Sequence, residues 1–167
     1  MQQNNKTKQK YFSYTLYADG EIFVSKSSVA ADHPECGDSL SPCKTLLYAA
    51  TRCNKQACHY KIDGGSEQKA YEYTINHKEE FSSHAEHLTL NGFGSHLPII
   101  TCKDQDAYDT CIFASGYHFS TTGISFQASA VGNYLPAIFL SGNLMEASLS
   151  DSVFTCLLYT SPSPRDS

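Results

Sequence analysis

Short apolar runs rich in β-branched and aromatic residues, bounded by Gly, Asn, Asp, Ser or His, occupy most of the chain after residue 59. Runs of this length between turn residues are typical of β-strands. They predict strands at residues 60–65, 71–75, 88–90, 98–102, 111–114, 119–126, 137–140 and 149–154. Residues 11–24 contain Asp19-Gly20 and predict a strand, a turn and a strand. The pattern therefore predicts an all-β fold.

One stretch of the chain has helical rather than strand-like spacing. Residues 36–53 read CGDSLSPCKTLLYAATRC, a turn followed by a short amphipathic segment. The apolar positions expected on one helical face are Leu46, Leu47, Ala50 and Cys53. Ser41 is placed to cap the helix, and Pro42 would occupy its first turn, where the missing N–H costs nothing. We predict a helix that covers the open end of a stack of sheets.

The strands after this helix share a loose repeat. LTLNGF ends at Phe93, STTGISF at Phe126 and SLSDSVF at Phe154, with separations of 33 and 28 residues. Repeats of 20 to 50 residues are typical of solenoids, whose units bury their apolar faces against their neighbours. The three phenylalanines are then predicted to form a ladder in the core. Periodicity alone leaves an antiparallel β-sandwich as an equal alternative.

Charge and hydropathy exclude some partners. The net charge is -5, and no Lys/Arg cluster is present, which argues against nucleic acid. No apolar run approaches the roughly 20 residues of a membrane-spanning helix. We therefore predict no nucleic-acid partner and no transmembrane segment in this chain.

The far end of the chain has an unusual composition. Residues 156–166, CLLYTSPSPRD, resemble the translation of an adapter from transposon-based sequencing libraries. We expect residues 156–167 to be a non-native tail and the chain to be the front of a longer protein. The first 20 residues show no apolar core of a signal peptide, so Met1 is expected to be internal to a longer frame.

The cysteine count becomes even once that tail is removed. The remaining cysteines are Cys36, Cys43, Cys53, Cys58, Cys102 and Cys111. An even set at short separations indicates disulfides in an oxidising compartment. Neighbour pairing along the chain is our prediction, although other connectivities remain open. The alternative is a set of buried, reduced thiols in a cytosolic protein.

The segment FVSKSSVAADHPECGDSLSPCKTLLYAATRC resembles the entry to a right-handed parallel β-helix of the pectin-lyase-like family. LTLNGFGSHLPIITC, GYHFSTTGISF, AIFLSGN and SLSDSVF look like successive coils of that family, and the resemblance covers roughly residues 20–155. It implies a leader and first strand at 1–19, a disulfide-rich cap with a short helix at 20–58, and β-helix coils at 59–155. It also implies secretion or surface display, and contact with carbohydrate in the enzymes of the family.

No catalytic constellation stands out. The family's hydrolase pattern, an Asn-Thr-Asp strand followed by paired aspartates and a Gly-His-Gly turn, is absent. The acidic group Asp104, Asp106 and Asp109 lacks the Gly and Glu of a Ca²⁺ loop. His84-Ala85-Glu86-His87 is expected to lie in a surface turn rather than on a Zn²⁺-binding helix. We predict no catalytic residue, no cofactor and no metal site.

Aromatic residues offer the remaining chemistry. The tyrosines considered as flat faces for sugar rings are Tyr71, Tyr73, Tyr108, Tyr117 and Tyr134. Half-buried strand positions are the more common use of such residues. The expected function is a structural, adhesive or carbohydrate-contacting module with glycans or cell-surface proteins as partners. The alternative is the N-terminal part of a polysaccharide lyase or glycoside hydrolase whose catalytic coils lie beyond residue 155.

Overall fold

A computed structural model of the chain describes residues 21–53, 57–75, 82–83, 86–103, 112–114, 118–129, 138–140 and 146–156. The described residues contain one α-helix, α1 (Leu46–Arg52). The strands in chain order are β1 (Glu21–Val24), β2 (Ala57–Asp63), β3 (Gly65–Ser66), β4 (Lys69–Ala70), β5 (Glu72–Ile75), β6 (Ser82–Ser83), β7 (His87–Phe93), β8 (Ile99–Lys103), β9 (Ile112–Ala114), β10 (His118–Thr122), β11 (Ser125–Ser129), β12 (Ile138–Leu140), β13 (Glu146–Ser150) and β14 (Val153–Cys156). No helix in these ranges is long and apolar enough to cross a membrane.

The strands form three parallel sheets. Sheet I has the order β1-β2-β7-β10-β13, sheet II the order β14-β11-β8-β5, and sheet III the order β12-β9-β6. The prediction of an all-β fold is confirmed. The antiparallel β-sandwich is wrong, because antiparallel pairing in the described part of the chain joins only the two-residue strands β3 and β4. A solenoid of parallel strands and an antiparallel sandwich both lack helices between their strands, so the strand pattern alone does not distinguish them.

The chain visits the three sheets in a fixed order, and we call each passage a coil. Coil 1 contains β2, β5 and β6; coil 2 contains β7, β8 and β9; coil 3 contains β10, β11 and β12; and coil 4 contains β13 and β14. Thr89 pairs with Ser120, 31 residues later, and Thr122 pairs with Ser150, 28 residues later. Parallel strands need a long connection, and here the other two sheets supply it.

The core lies between the sheets and consists of stacked rows of side chains. Every second residue of a strand faces the interior, so in-register pairing places like positions above one another. In sheet I, Leu88 pairs with Phe119, and both are at most 2% exposed. In sheet II, Tyr73, Ile100 and Phe126 form one buried row. Burial of these rows gives the fold its main stabilisation.

Two of the three phenylalanines of the predicted core ladder stack on each other, but only Phe126 is buried, since Phe154 is 48% exposed. Phe126 pairs with Phe154, and their ring centroids stack at 5.0 Å. The placement of Phe93 in the ladder is wrong, because Phe93 pairs with Asp63 in sheet I and is 42% exposed. The corner after β7 is five residues long and the corner after β10 only two, so Ile100 takes the position over Phe126 instead.

The coils approach each other closely at the corners between sheets I and II. A Cβ atom at Gly92 would collide with the carbonyl oxygen of Gly123, so only glycine fits there. Gly123 itself has φ +64°, and Asp151, at the same corner of coil 4, has φ 48°. Glycine and aspartate tolerate this left-handed conformation better than most residues, so the Gly or Asp of the repeat sets the bend.

The helix starts later than the sequence predicted. Thr45 is the N-cap residue, and its Oγ1 accepts a hydrogen bond from the Tyr48 N–H at 3.1 Å. The Asp32 carboxylate accepts hydrogen bonds from the N–H groups of Lys44 and Thr45 and fixes the helix entry. The prediction that Ser41 caps the helix is wrong, because the Ser41 N–H donates to Asp38. The chain between Ser41 and Thr45 forms a β-bridge instead, from Cys43 to Val24 of β1.

Disulfide bonds join Cys36 to Cys43 and Cys53 to Cys58, as neighbour pairing predicts. Cys102 is also disulfide-bonded, while Cys111 lies outside the described residues. Two such bridges indicate an oxidising setting. The predicted leader at 1–19 and residues 157–167 of the predicted tail also lie outside the described residues.

A buried phenol joins two strands of coil 1, β5 and β2. Tyr73 is 2% exposed, and its hydroxyl donates to the carbonyl oxygen of Asp63 at 2.8 Å. Burial, then the charge of Asp63 and the neighbouring Tyr71, raise the pKa of Tyr73 above its ordinary value. The neutral phenol is therefore the form that the folded state stabilises.

Alkaline pH is expected to destabilise the fold through this phenol. Because the pKa of Tyr73 is higher in the folded chain, its stabilisation is complete below about pH 10 and is lost as the pH rises above that value. Urea unfolding between pH 8 and pH 12 measures the decline. The Tyr73→Phe variant should be less stable at pH 8, because it loses the hydrogen bond to Asp63. Its stability should decline less steeply with pH, but some decline should remain, because burial raises the pKa of Tyr60 as well. Identical slopes for both chains would contradict the assignment.

Candidate functional site

The outward face of sheet I is the most distinctive exposed surface of the described chain. Strand alternation directs the inward residues of β7, such as Leu88 and Leu90, into the core, and directs their neighbours to solvent. The outward residues are Glu21, Phe23, Ala57, His59, Lys61, Asp63, His87, Thr89, Asn91, Phe93, His118, Ser120, Thr122, Glu146, Ser148 and Ser150. We call this surface the sheet I face.

An imidazole row runs along one side of the sheet I face. His87 pairs with His118, and their rings stack with centroids 4.6 Å apart and planes 3° from parallel. His118 Nδ1 lies 3.3 Å from a carboxylate oxygen of Glu146. A metal ion lies in the plane of each imidazole that binds it, so two parallel rings at this separation cannot share one. The row is a hydrogen-bonding and stacking surface.

Hydroxyl groups occupy the centre of the sheet I face. Ser120 Oγ donates to Thr89 Oγ1 at 3.3 Å, and Thr122 and Ser150 share a hydrogen bond of 2.9 Å between their hydroxyls. Each hydroxyl retains further donor or acceptor capacity toward solvent. The short side chains leave this part of the sheet flat, which suits a ligand that lies across several strands.

An aromatic pair lies on the other side of the sheet I face. The rings of Phe23 and Phe93 meet edge to face, with centroids 6.1 Å apart. Phe93 is 42% exposed, although a phenyl ring of this size is normally buried. Lys61 pairs with Phe23 in the register, and Asn91 follows Lys61 on the next strand. An exposed apolar ring thus lies beside amide and ammonium donors.

The electrostatics of the sheet I face are mildly acidic. Lys61 Nζ lies 3.2 Å from a carboxylate oxygen of Glu21, so its charge is largely compensated. The Asp63 carboxylate accepts hydrogen bonds from Ser25 Oγ and from the Gly65 N–H, each 2.8 Å long. Glu146 adds a third carboxylate at the imidazole row. The face therefore favours uncharged over anionic ligands.

Most of the chemical groups considered from the sequence lie outside the described residues. Asp104, Asp106, Asp109 and His84 lie outside the described residues, as do Tyr108, Tyr117 and Tyr134. Tyr73 is buried and cannot face a sugar ring, and Tyr71 is half-buried. Across the described ranges, no group of three or more His, Cys, Asp or Glu side chains could hold a metal ion.

The aromatic pair was missed by sequence reasoning, although a signal existed. In LTLNGF, strict alternation from the apolar Leu88 and Leu90 places Asn91 and Phe93 on the opposite face. Because all three repeats end in phenylalanine, Phe93 was nevertheless predicted to lie in the core. Phe23 lay in a correctly predicted strand, but its neighbour across the sheet depends on long-range pairing.

Comparisons of the chain with protein-family models, with curated proteins and with solved structures found no match. The fold and the sheet I face therefore carry the functional argument.

Proposed function

We propose that the chain is part of a secreted or surface-displayed right-handed parallel β-helix protein, and that its sheet I face contacts uncharged glycans in a structural or adhesive role. The fixed visiting order of three parallel sheets and coil lengths near 30 residues support the β-helix. The strong right-handed preference of parallel crossovers supports its handedness. The disulfides support an extracellular location.

The observation that carries the proposal is the exposed Phe93 ring, paired with the half-buried Phe23, beside polar rows. One face of a pyranose ring presents C–H groups that pack on an aromatic ring, while its hydroxyls need donors and acceptors at the ring edge. Phe93 offers the apolar surface, and Asn91 and Thr122 offer the polar partners on adjacent positions of the sheet. The flat hydroxyl rows extend this arrangement over the length of an oligosaccharide.

Replacing Phe93 by alanine is expected to weaken glycan binding at least about tenfold, which corresponds to about 1.4 kcal/mol. Binding to immobilised panels of neutral and uronic-acid oligosaccharides measures the effect, and the neutral panel should bind more strongly. Phe93→Tyr should retain binding because it keeps the ring. Leu97→Ala is the matched control, since Leu97 has the same 42% exposure as Phe93 but lies outside the sheet I face.

Failure of the native chain to bind either panel would refute glycan contact. Equal affinity for the native chain and Phe93→Ala would remove the aromatic pair from the site. Preference for the uronic-acid panel would show that the acidic face does not select the ligand.

A further inference from the structure

The two ends of β7 carry different rings on the sheet I face. His87 is the first residue of β7 and Phe93 is the last, and both side chains are exposed. A parallel strand rises about 3.3 Å per residue, so the 7 residues of β7 cover about 20 Å, the length of about four pyranose units. One sugar ring therefore cannot touch both the imidazole and the phenyl ring.

The surface between these two rings is a strip of short polar side chains. Two of them come from β7 and two from β10, namely Thr89, Asn91, Ser120 and Thr122. On the other neighbour of β7, the longer side chains of His59 and Lys61 pair with Thr89 and Asn91. We call the strip of short side chains the polar trough. The trough runs along the strands, because its border on β2 is parallel to them.

His87 has free hydrogen-bonding capacity at one end of the polar trough. One face of its ring stacks on His118, so a ligand approaches the ring edge that carries the two nitrogens. No hydrogen bond joins the His87 ring to another part of the chain that the structure describes. In contrast, His118 Nδ1 already has the Glu146 carboxylate at 3.3 Å. A neutral imidazole offers one donor and one acceptor nitrogen, which suits a sugar hydroxyl.

We propose that the ligand of the sheet I face is an extended, uncharged oligosaccharide that lies along β7 and β10 and reaches from Phe93 to His87. This inference rests on the proposed glycan contact and adds the direction, the minimum length and the second end of the ligand. One terminal ring packs on Phe93, and a hydroxyl at the other end hydrogen-bonds to His87. The hydroxyls between them meet the polar trough.

A straight glycan chain fits this surface better than a curved one. The polar trough follows strands that belong to one flat sheet face, and its two end contacts are about 20 Å apart. A β-linked glucan keeps successive rings in line and can touch both ends. An α-linked glucan of the same units coils, so its ends leave a flat surface.

Calorimetric titration of the full chain with cello-oligosaccharides tests the proposal, because these ligands are uncharged and extended. The native chain should bind the tetrasaccharide and the hexasaccharide at least about tenfold more tightly than the disaccharide. In His87→Ala this advantage of length should disappear, since the longer ligands have lost their far contact. His96→Ala is the matched control, because His96 is an exposed histidine outside the sheet I face. It should leave all affinities unchanged.

Two further comparisons test the nature of the contact. His87→Phe keeps a ring beside His118 but removes both nitrogens, so it should lose the advantage of length as His87→Ala does. Maltohexaose has the same composition and charge as the cello-hexasaccharide but is α-linked. The native chain should bind it at least about tenfold more weakly.

The outcomes separate this inference from the proposed function. If the native chain binds no neutral glycan, both are refuted. If it binds neutral glycans through Phe93, but binds the disaccharide and the hexasaccharide equally, glycan contact stands and the span to His87 is refuted. An advantage of length that survives in His87→Ala or His87→Phe would remove His87 from the site. Equal binding of maltohexaose and the cello-hexasaccharide would refute the extended ligand.

Discussion

Replacing Phe126 by alanine is expected to lower the free energy of unfolding by about 3–5 kcal/mol. Phe126 is 0% exposed and lies between Ile100 and Phe154 in the sheet II row. Its removal leaves a cavity that the coils above and below cannot fill, because their backbones are fixed by parallel pairing. A loss of this size is a large part of the total stability of a small domain. The midpoint of urea unfolding measures it.

Phe154→Ala is the matched control for this prediction. The two rings stack on each other, so either substitution removes the same ring contact. Phe154 is 48% exposed, however, and its loss should cost less than about half as much. Equal losses would mean that another part of the chain covers Phe154, which contradicts its 48% exposure.

Much of the fold could be predicted from local patterns. The prediction of a single strand at 119–126 is wrong, because Gly123-Ile124 divides it into β10 and β11 of different sheets. Alternating apolar residues between turn residues do mark the strands around Leu88, Phe119 and Phe126. The short helix was predictable for the same reason. Its start was not, because Asp32 accepts hydrogen bonds from residues more than ten positions later, and such a contact has no local signature.

The exact repeat could not be read from the sequence, because the corners differ in length. Gly123-Ile124 and Asp151-Ser152 are two-residue corners that keep Phe126 and Phe154 in register. The corner of coil 2 is three residues longer. Phe93, which looks equivalent to Phe126 by motif, therefore lies in sheet I rather than sheet II and faces outward. A shift of an odd number of residues exchanges the inside and outside of a strand.

The candidate site was less predictable than the fold. Single strands revealed which residues face outward, but the sheet I face combines five strands drawn from residues 21–150. The stacked His87 and His118 are separated by a whole coil, and Phe23 meets Phe93 only through the packing of three strands. The site therefore depends on register, which arises from the stacking of coils and not from any one segment.

Removing the Cys36–Cys43 disulfide is expected to lower the free energy of unfolding by about 2–4 kcal/mol. The bridge restricts the unfolded chain, and it also holds the loop that occupies the outer side of β1. Replacing both cysteines by alanine avoids burying new hydroxyl groups, since both positions are 0% exposed. Urea unfolding measures the stability, and hydrogen exchange at the Phe23 and Ser25 N–H groups reports whether the loop still covers β1.

The Cys53→Ala/Cys58→Ala variant separates these two effects. Its bridge spans 5 residues against 7 for Cys36–Cys43, so the two chain-entropy contributions are similar. It joins α1 to β2 and does not touch the loop over β1, so exchange at the Phe23 N–H should stay slow. In the Cys36→Ala/Cys43→Ala variant that exchange should accelerate. Slow exchange in both variants would show that the backbone hydrogen bonds hold the loop without the disulfide.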